Sequence, residues 1–291
     1  MRNLVHSIQH LRFHFSAFLL PVFLFAVSRA SDPFHRDTIW LFVLLHFLVY
    51  PSSNAYNSIQ DRDSGSIGGL KNPPPIPEGL WVVTFVFDCL ALGLGAWLLG
   101  VEVMVLLGGY ILASRAYSYR GIRLKKYAIG GFLLVASLQG GLIYLVTSMV
   151  ASHQHFFELG AEVFLGALAA TVMIGAGYPI TQIYQHQQDR LDGVNTLSMK
   201  LGVRGTLLFS VSLFGLFTAL VFLLWKESVF VGFLFLLVTA PTAFFFLNWI
   251  KRVREDLSAA DYDNTMRMNL ISTITLNVFF TTLLIFQSWN V

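Results

Sequence analysis

Nine times along this chain a run of about 20 residues passes with hardly a charge in it. Each run is long enough to cross the roughly 30 Å hydrocarbon layer of a bilayer as a helix rising about 1.5 Å per residue. Repetition of that kind leaves few folds. Backbone N–H and C=O groups in hydrocarbon must find partners within their own segment, so the expected fold class is all-α, a polytopic bundle of nine transmembrane helices. The runs fall at about 13–30, 38–60, 80–99, 101–118, 127–150, 157–187, 205–225, 228–250 and 268–288. The second and sixth are long and continue into polar residues. Pro51 and Pro179 each remove a backbone donor there, so a kink is expected near each.

Composition agrees with the segments. The chain is 55% apolar and only 12% charged, and the charges gather in short stretches between the apolar runs, as loops do. No linker divides them, so residues 1–291 read as a single integral-membrane domain. The first apolar run, Phe13 to Ser28, is followed by no small-residue cleavage site and is expected to stay as the first span. Cys89 is the single cysteine, which excludes an intramolecular disulfide and a multi-cysteine metal site.

The basic residues set a direction. With the N-terminus in the cytoplasm, 16 of the 19 Lys and Arg residues lie on that side, and only Arg29, Arg36 and Lys226 face outward. The asymmetry predicts a multi-pass protein of a bacterial-type cytoplasmic membrane, N-terminus inside and C-terminus outside. It also accounts for the net charge of +3 by topology, without a nucleic-acid partner.

Two polar stripes interrupt the apolar pattern. On a helix His46, Tyr50, Asn54, Asn57 and Asp61 fall within an arc of roughly 80°. Lipid penalises such a stripe, so it faces a neighbouring helix or a wet cavity. Gln182, Gln185, Asp189 and Asp192 form a second stripe of similar width at the end of the sixth segment. Asn57-x-x-x-Asp61 and Gln185-x-x-x-Asp189 end helices four spans apart, each before a glycine-bearing loop on the same side, a faint internal duplication. If the two ends meet, they supply hard oxygen ligands, which suit Mg2+ together with a diphosphate. Apart from His186, nothing near them suits zinc.

Other polar residues have quieter readings. Asp88, alone within the third span, calls either for a cavity or for a structural hydrogen bond. Asn269, Thr273 and Asn277 recur at helical spacing and read as a packing seam. His153 and His155 lie on an outer loop with one residue between them and read as solvated, with a surface metal site as the alternative.

At the two helix ends the chain resembles the UbiA-type integral-membrane prenyltransferases. Asn57 and Asp61 match the first two positions of their N-x-x-x-D-x-x-x-D motif, and Pro75-Ile76-Pro77 matches an R-P-I-P region without its arginine. Asp189, Gly193, Thr196 and Leu197 match the second motif. The tract from Ala116 to Lys125 is similar to the family's loop after helix four, which supplies cations. The resemblance covers nearly the whole chain and implies a helical bundle with a central cavity open toward the cytoplasmic side. It implies transfer of a prenyl group from an isoprenyl diphosphate to an aromatic, quinonoid or other lipophilic acceptor within the membrane lipid, assisted by Mg2+. Asn57, Asp61 and Asp189 would be the catalytic metal ligands, with Asp63, Gln185 and Asp192 as weaker ones. Arg123, Lys125 and Lys71 would hold the diphosphate, and aromatics such as Phe132, Tyr144 and Tyr178 would line a tunnel for the isoprenoid.

The chain departs from the motifs at three places. Gly65 stands where the first motif ends in aspartate, and Gln182 and Gln185 stand where the second carries acids. Asp63 can replace the missing acid only if the helix stops near Asp61, because two more helical residues would turn it about 200° away. These departures keep open a relative that binds lipid or serves as a scaffold without turnover. A transporter would place its polar residues near mid-membrane rather than at helix ends. A phosphatidyl-alcohol transferase would need D-G-x-x-A-R, where this chain has Asp192-Gly193 followed by other residues.

Overall fold

A computed structural model describes residues 2–63 and 65–289 of the chain. Among the described residues nine long helices follow one another: α1 Arg2–Val27, α2 Arg36–Asp61, α3 Leu80–Leu99, α4 Val101–Ser118, α5 Ala128–Ala151, α6 Ala161–Leu191, α7 Leu197–Leu224, α8 Val229–Glu255 and α9 Tyr262–Trp289. Each expected apolar run is helical. Eight of the helices are long and apolar enough to cross a membrane, while α4 has the length but carries Glu102 in its first turn and Arg115 in its last.

Most of the helix limits that differ from the apolar runs reach beyond them, whereas α6 begins four residues later than expected and α1 ends three earlier. Helices α1, α7 and α9 begin earlier and α8 ends later, because hydropathy marks only the part in hydrocarbon and a helix continues into the polar interface. Helix α1 also breaks. Arg12 takes a left-handed conformation with φ 49°, which separates the Arg2–Leu11 helix from the crossing that follows.

Both proline sites are irregular, as expected. A π-helical turn, Leu44–Val49, precedes Pro51, and such a turn relaxes the demand for the missing donor. Pro179 lies inside α6, and the chain then tightens into a 3-10 turn at Ile183–Gln185. Helix α5 is widened as well, at Ala136–Leu142. There Gly140 lies so near α6 that a Cβ would stand 2.4 Å from the Ala170 carbonyl oxygen. Only glycine permits that approach.

The core is aromatic and aliphatic. Phe25 stacks on Phe280 with centroids 4.9 Å apart and meets the edge of Tyr144 at 4.8 Å. On the outside Trp97, Phe244 and Val229 are 79%, 74% and 89% exposed, a surface suited to acyl chains rather than water. The loops at one end of the bundle are tied together. Tyr127 and Ala128, just after the basic tract, bridge in parallel to Asn195 and Thr196 beyond α6. Thr196 also caps α7, its hydroxyl accepting from the Met199 N–H at 3.3 Å.

Candidate active site

Helix α2 stops at Asp61 because Arg62 adopts φ 54°, the left-handed turn that closes a helix. That settles the condition on Asp63, which folds back and lines the same cavity as Asp61. Asp61 is only 5% exposed. The Asn57 amide donates to its Oδ2 at 2.8 Å and to Ser118 Oγ at 3.2 Å. The Lys125 ammonium lies 2.5 Å from Asp61 Oδ1, although that oxygen makes no well-aligned hydrogen bond. Arg120 fastens the helix end by donating to the Gln60 and Asp61 carbonyls at 2.6 and 3.2 Å.

The end of α6 meets this group. Asp189, Gln182 and Gln185 line the cavity with Asn57, Asp61, Asp63 and Lys125. Gln182 donates through its amide nitrogen to Tyr178 Oη at 2.9 Å, and its buried carbonyl oxygen has no hydrogen-bond partner. Tyr178 is also hydrogen-bonded to Tyr117, and both rings line the cavity. Arg123 joins the two helix ends: its Nη2 is 2.8 Å from Asp192 Oδ2 and 3.8 Å from Asp61 Oδ1. Asp192 is thereby bound to the guanidinium, and neither it nor Arg123 lines the cavity.

The cavity holds about 290 Å³. Its charged lining comes from helix ends and loops, and Val135, Leu138, Met173, Ile174, Phe214 and Leu276 line it from within their helices. Arg12 joins the charged lining and is missing from the sequence expectation, which gave it only a topological role. Its guanidinium, 4% exposed, donates to the Asn54 and Gly68 carbonyls at 2.6 and 3.0 Å, and its left-handed backbone is what turns it inward. Asn269 and Thr273 were expected to pack helices, yet both line the cavity. Crowding has an electrostatic effect: burial, and then the charge of Asp61, push the Asp63 carboxyl up to about 6.

Several expectations need correction: Arg123, expected to hold the diphosphate, and Asp192, expected as a weaker metal ligand, pair with each other outside the cavity lining. Lys71 stands outside the cavity lining and pairs in the open with Asp263 at 2.7 Å. Of the three aromatics expected along a tunnel, only Tyr178 lines it. Phe132 packs on Phe209 at 5.5 Å, and Tyr144 belongs to the Phe25 cluster. Asp88 is structural. It pairs with Arg115 at 2.5 Å and accepts from Ser52 Oγ at 2.7 Å, away from the cavity.

The donors fit a hard dication. Three carboxylates, Asp61, Asp63 and Asp189, face the cavity with the amides of Asn57, Gln182 and Gln185, and oxygen is the donor magnesium takes. Among the described residues no imidazole lines the cavity, and His186 Nε2 bonds to Ser198 Oγ at 2.7 Å. Against the three carboxylates the lining sets two cations, Arg12 and Lys125. The formal charge is negative, so a polyanion enters favourably only with a cation.

Comparison with known proteins bears on this arrangement. Residues 18–271 match the model of the UbiA prenyltransferase family. No curated protein matches the chain. Solved structures similar to it include the apo structure of a UbiA homolog from Aeropyrum pernix K1, with TM-score 0.66, 18% identity and coverage of 93% of this chain and 98% of that one. A UbiA homolog from Archaeoglobus fulgidus bound to GPP and Mg2+ gives 0.65 and 15%, covering 96% and 99%. A digeranylgeranylglyceryl phosphate synthase gives 0.59 and 17%, covering 98% of each. At these identities the likeness is one of fold.

Proposed function

The chain belongs to the UbiA prenyltransferase family, and we propose that it transfers a prenyl group from an allylic isoprenyl diphosphate to an aromatic, quinonoid or other lipophilic acceptor, assisted by Mg2+. One observation carries this reading. Carboxylates from two helix ends far apart in sequence line one cavity together with apolar side chains from within the helices, which suits a ligand with a diphosphate head and a hydrocarbon tail. The Archaeoglobus homolog bound to GPP and Mg2+ supports the donor class.

The chemistry follows from the lining. Breaking the allylic C–O bond sends the electron pair to the diphosphate and leaves a delocalised cation. The acceptor then supplies the pair for the new bond and gives up a proton. Asn57, Asp61 and Asp189 would hold Mg2+, with Asp63, Gln182 and Gln185 completing an oxygen shell; the ion supplies charge for the leaving diphosphate. Lys125 and Arg12 would bind diphosphate oxygens, and Arg123 holds the two helix ends in register. Lys125 must first leave Asp61, and that exchange is favoured because the bound polyanion offers the ammonium a new partner. The rings of Tyr117 and Tyr178 would face the allylic cation. The apolar wall keeps water from the cation, so the acceptor rather than water captures it. We place the cavity mouth on the cytoplasmic side, following the distribution of basic residues.

The test is incubation of purified protein with Mg2+, a radiolabelled polyprenyl diphosphate and a panel of acceptors: 4-hydroxybenzoate, homogentisate, dihydroxynaphthoate and chlorophyllide. A labelled product that disappears with EDTA is the expected result. Gln182 and Gln185, standing where the family carries acids, favour a second reading in which the protein binds the lipid without turning it over. Saturable diphosphate binding with no product from any acceptor would support that reading and overturn the first.

A further inference from the structure

At the end of the bundle away from the cavity, the loop between α1 and α2 meets the loop after α5. Asp32 and His35 from the first and His153 from the second each offer one ligand atom, and the three atoms lie within 4.8 Å of one another. His153 Nε2 is 3.6 Å from Asp32 Oδ2. The two imidazole rings stand edge to face with centroids 4.1 Å apart. We propose that these three side chains form a binding site for a first-row transition-metal dication, with Zn2+ the best fit.

The donor set separates this site from the cavity. Two imidazoles and one carboxylate suit zinc and its neighbours, whereas magnesium prefers oxygen alone. Around a tetrahedral zinc with bonds of about 2.0–2.1 Å, ligand atoms sit roughly 3.3 Å apart. The cluster therefore needs to close by up to about 1.5 Å, which half-exposed side chains achieve by rotations about their side-chain bonds. Three protein ligands leave a position for water.

The backbone holds the ligands in place before any metal arrives. The Asp32 N–H donates to the Ala151 carbonyl at 3.2 Å and joins the two loops. The His35 N–H donates to the Asp32 carbonyl at 3.4 Å. Asp37 orients the His35 ring: its N–H donates to Nδ1 at 3.2 Å, and its carboxylate lies 3.7 Å from the same nitrogen. Metal binding through Nε2 would place the ring proton on Nδ1, which would then donate to that carboxylate instead of accepting from the Asp37 N–H. His153 has φ 52°, a left-handed turn that directs its side chain across to the other loop. The metal would clasp the start of α2 to the end of α5, about 37 Å from Asp61 by the 25 residues of α2 between them.

His155 supplies an internal control. It lies two residues on, but its ring bonds to Glu102 at 3.0 Å, outside the cluster. The experiment uses the full chain in detergent, purified through a histidine-free tag and stripped with EDTA, then titrated with Co2+ as a visible probe and Zn2+ as competitor. One Co2+ per chain should bind, Zn2+ should displace it, and excess Mg2+ should not. His153→Gln and, independently, Asp32→Asn should weaken binding by about tenfold or more, while His155→Gln leaves it unchanged. Absence of stoichiometric Co2+ binding to the native chain would overturn the proposal, as would equal binding by folded His153→Gln and Asp32→Asn proteins.

Discussion

Two carboxylate–cation pairs lie inside this bundle at the same 2.5 Å separation, Asp88 with Arg115 and Asp61 with Lys125, and their surroundings differ. Around Asp88 every group is engaged. Arg115 donates to it through Nε at 3.1 Å as well as Nη2, and also to the Ser52 carbonyl and hydroxyl at 3.3 and 2.7 Å, while its plane lies 4.2 Å over Tyr56. Around Asp61 the Lys125 contact is close but poorly directed, and both side chains line the cavity. A charge within a membrane span is therefore no sufficient sign of function. Cavity space beside it and a poorly directed partner distinguish the pair proposed to be functional, and a closed hydrogen-bond network marks the structural one.

The largest expected effect tests the functional side. Asp61→Ala would remove a proposed metal ligand and should lower prenyl transfer per folded molecule by about 10²–10³-fold. Unchanged turnover under saturating Mg2+ would dissolve the contrast between the pairs.

Asp88→Ala tests the other side. It strands a buried guanidinium and should cost about 3–5 kcal/mol of stability, read as a lower unfolding midpoint in detergent, while turnover per folded molecule stays near that of the native protein. Replacing both partners, Asp88→Leu with Arg115→Met, should recover most of that loss, since an apolar pair of similar volume is often neutral or better. Lost turnover in a stable double variant would move Asp88 into the functional class.

A third change sharpens the comparison within the cavity. Gln185→Asp restores a carboxylate where the chain has a neutral amide, so the Mg2+ concentration for half-maximal transfer should fall by about tenfold, the effect of roughly 1.4 kcal/mol. An unaltered magnesium response would mean that Gln185 points away from the ion.

How far the sequence reveals this arrangement depends on whether the signal is local. Apolar runs of fixed length specify the helices, and the Asn57–Asp61 and Gln185–Asp189 spacings place the carboxylates on the right faces, because helical periodicity is a property of adjacent residues. The conformation of single residues is not. Arg62 and Arg12 both take left-handed φ, and those two angles decide that Asp63 and Arg12 face the cavity, with no glycine to announce either. Asn269 and Thr273 look like a packing seam because helical spacing says which face is polar but not what lies opposite it. The Asp32, His35 and His153 cluster joins loops more than a hundred residues apart, and only the packed bundle brings them together.

The smallest effect belongs to Lys71, whose pair with Asp263 adds an exposed case to the two inside the bundle. Both of its side chains are more than half exposed, so water and salt compete for each charge. The basic residue lies close in sequence to the first motif, which suggests diphosphate binding, yet its ammonium is held by the start of α9 and lies outside the cavity lining. Lys71→Ala should therefore change transfer by less than about twofold and leave the KM for the prenyl diphosphate unmoved, the scale of an exposed pair. A tenfold rise in that KM would show that the loop carrying Lys71 folds over the bound diphosphate and trades Asp263 for it, as Lys125 is expected to trade Asp61. The solvated pair would then belong with the exchangeable one, and exposure alone could no longer separate them.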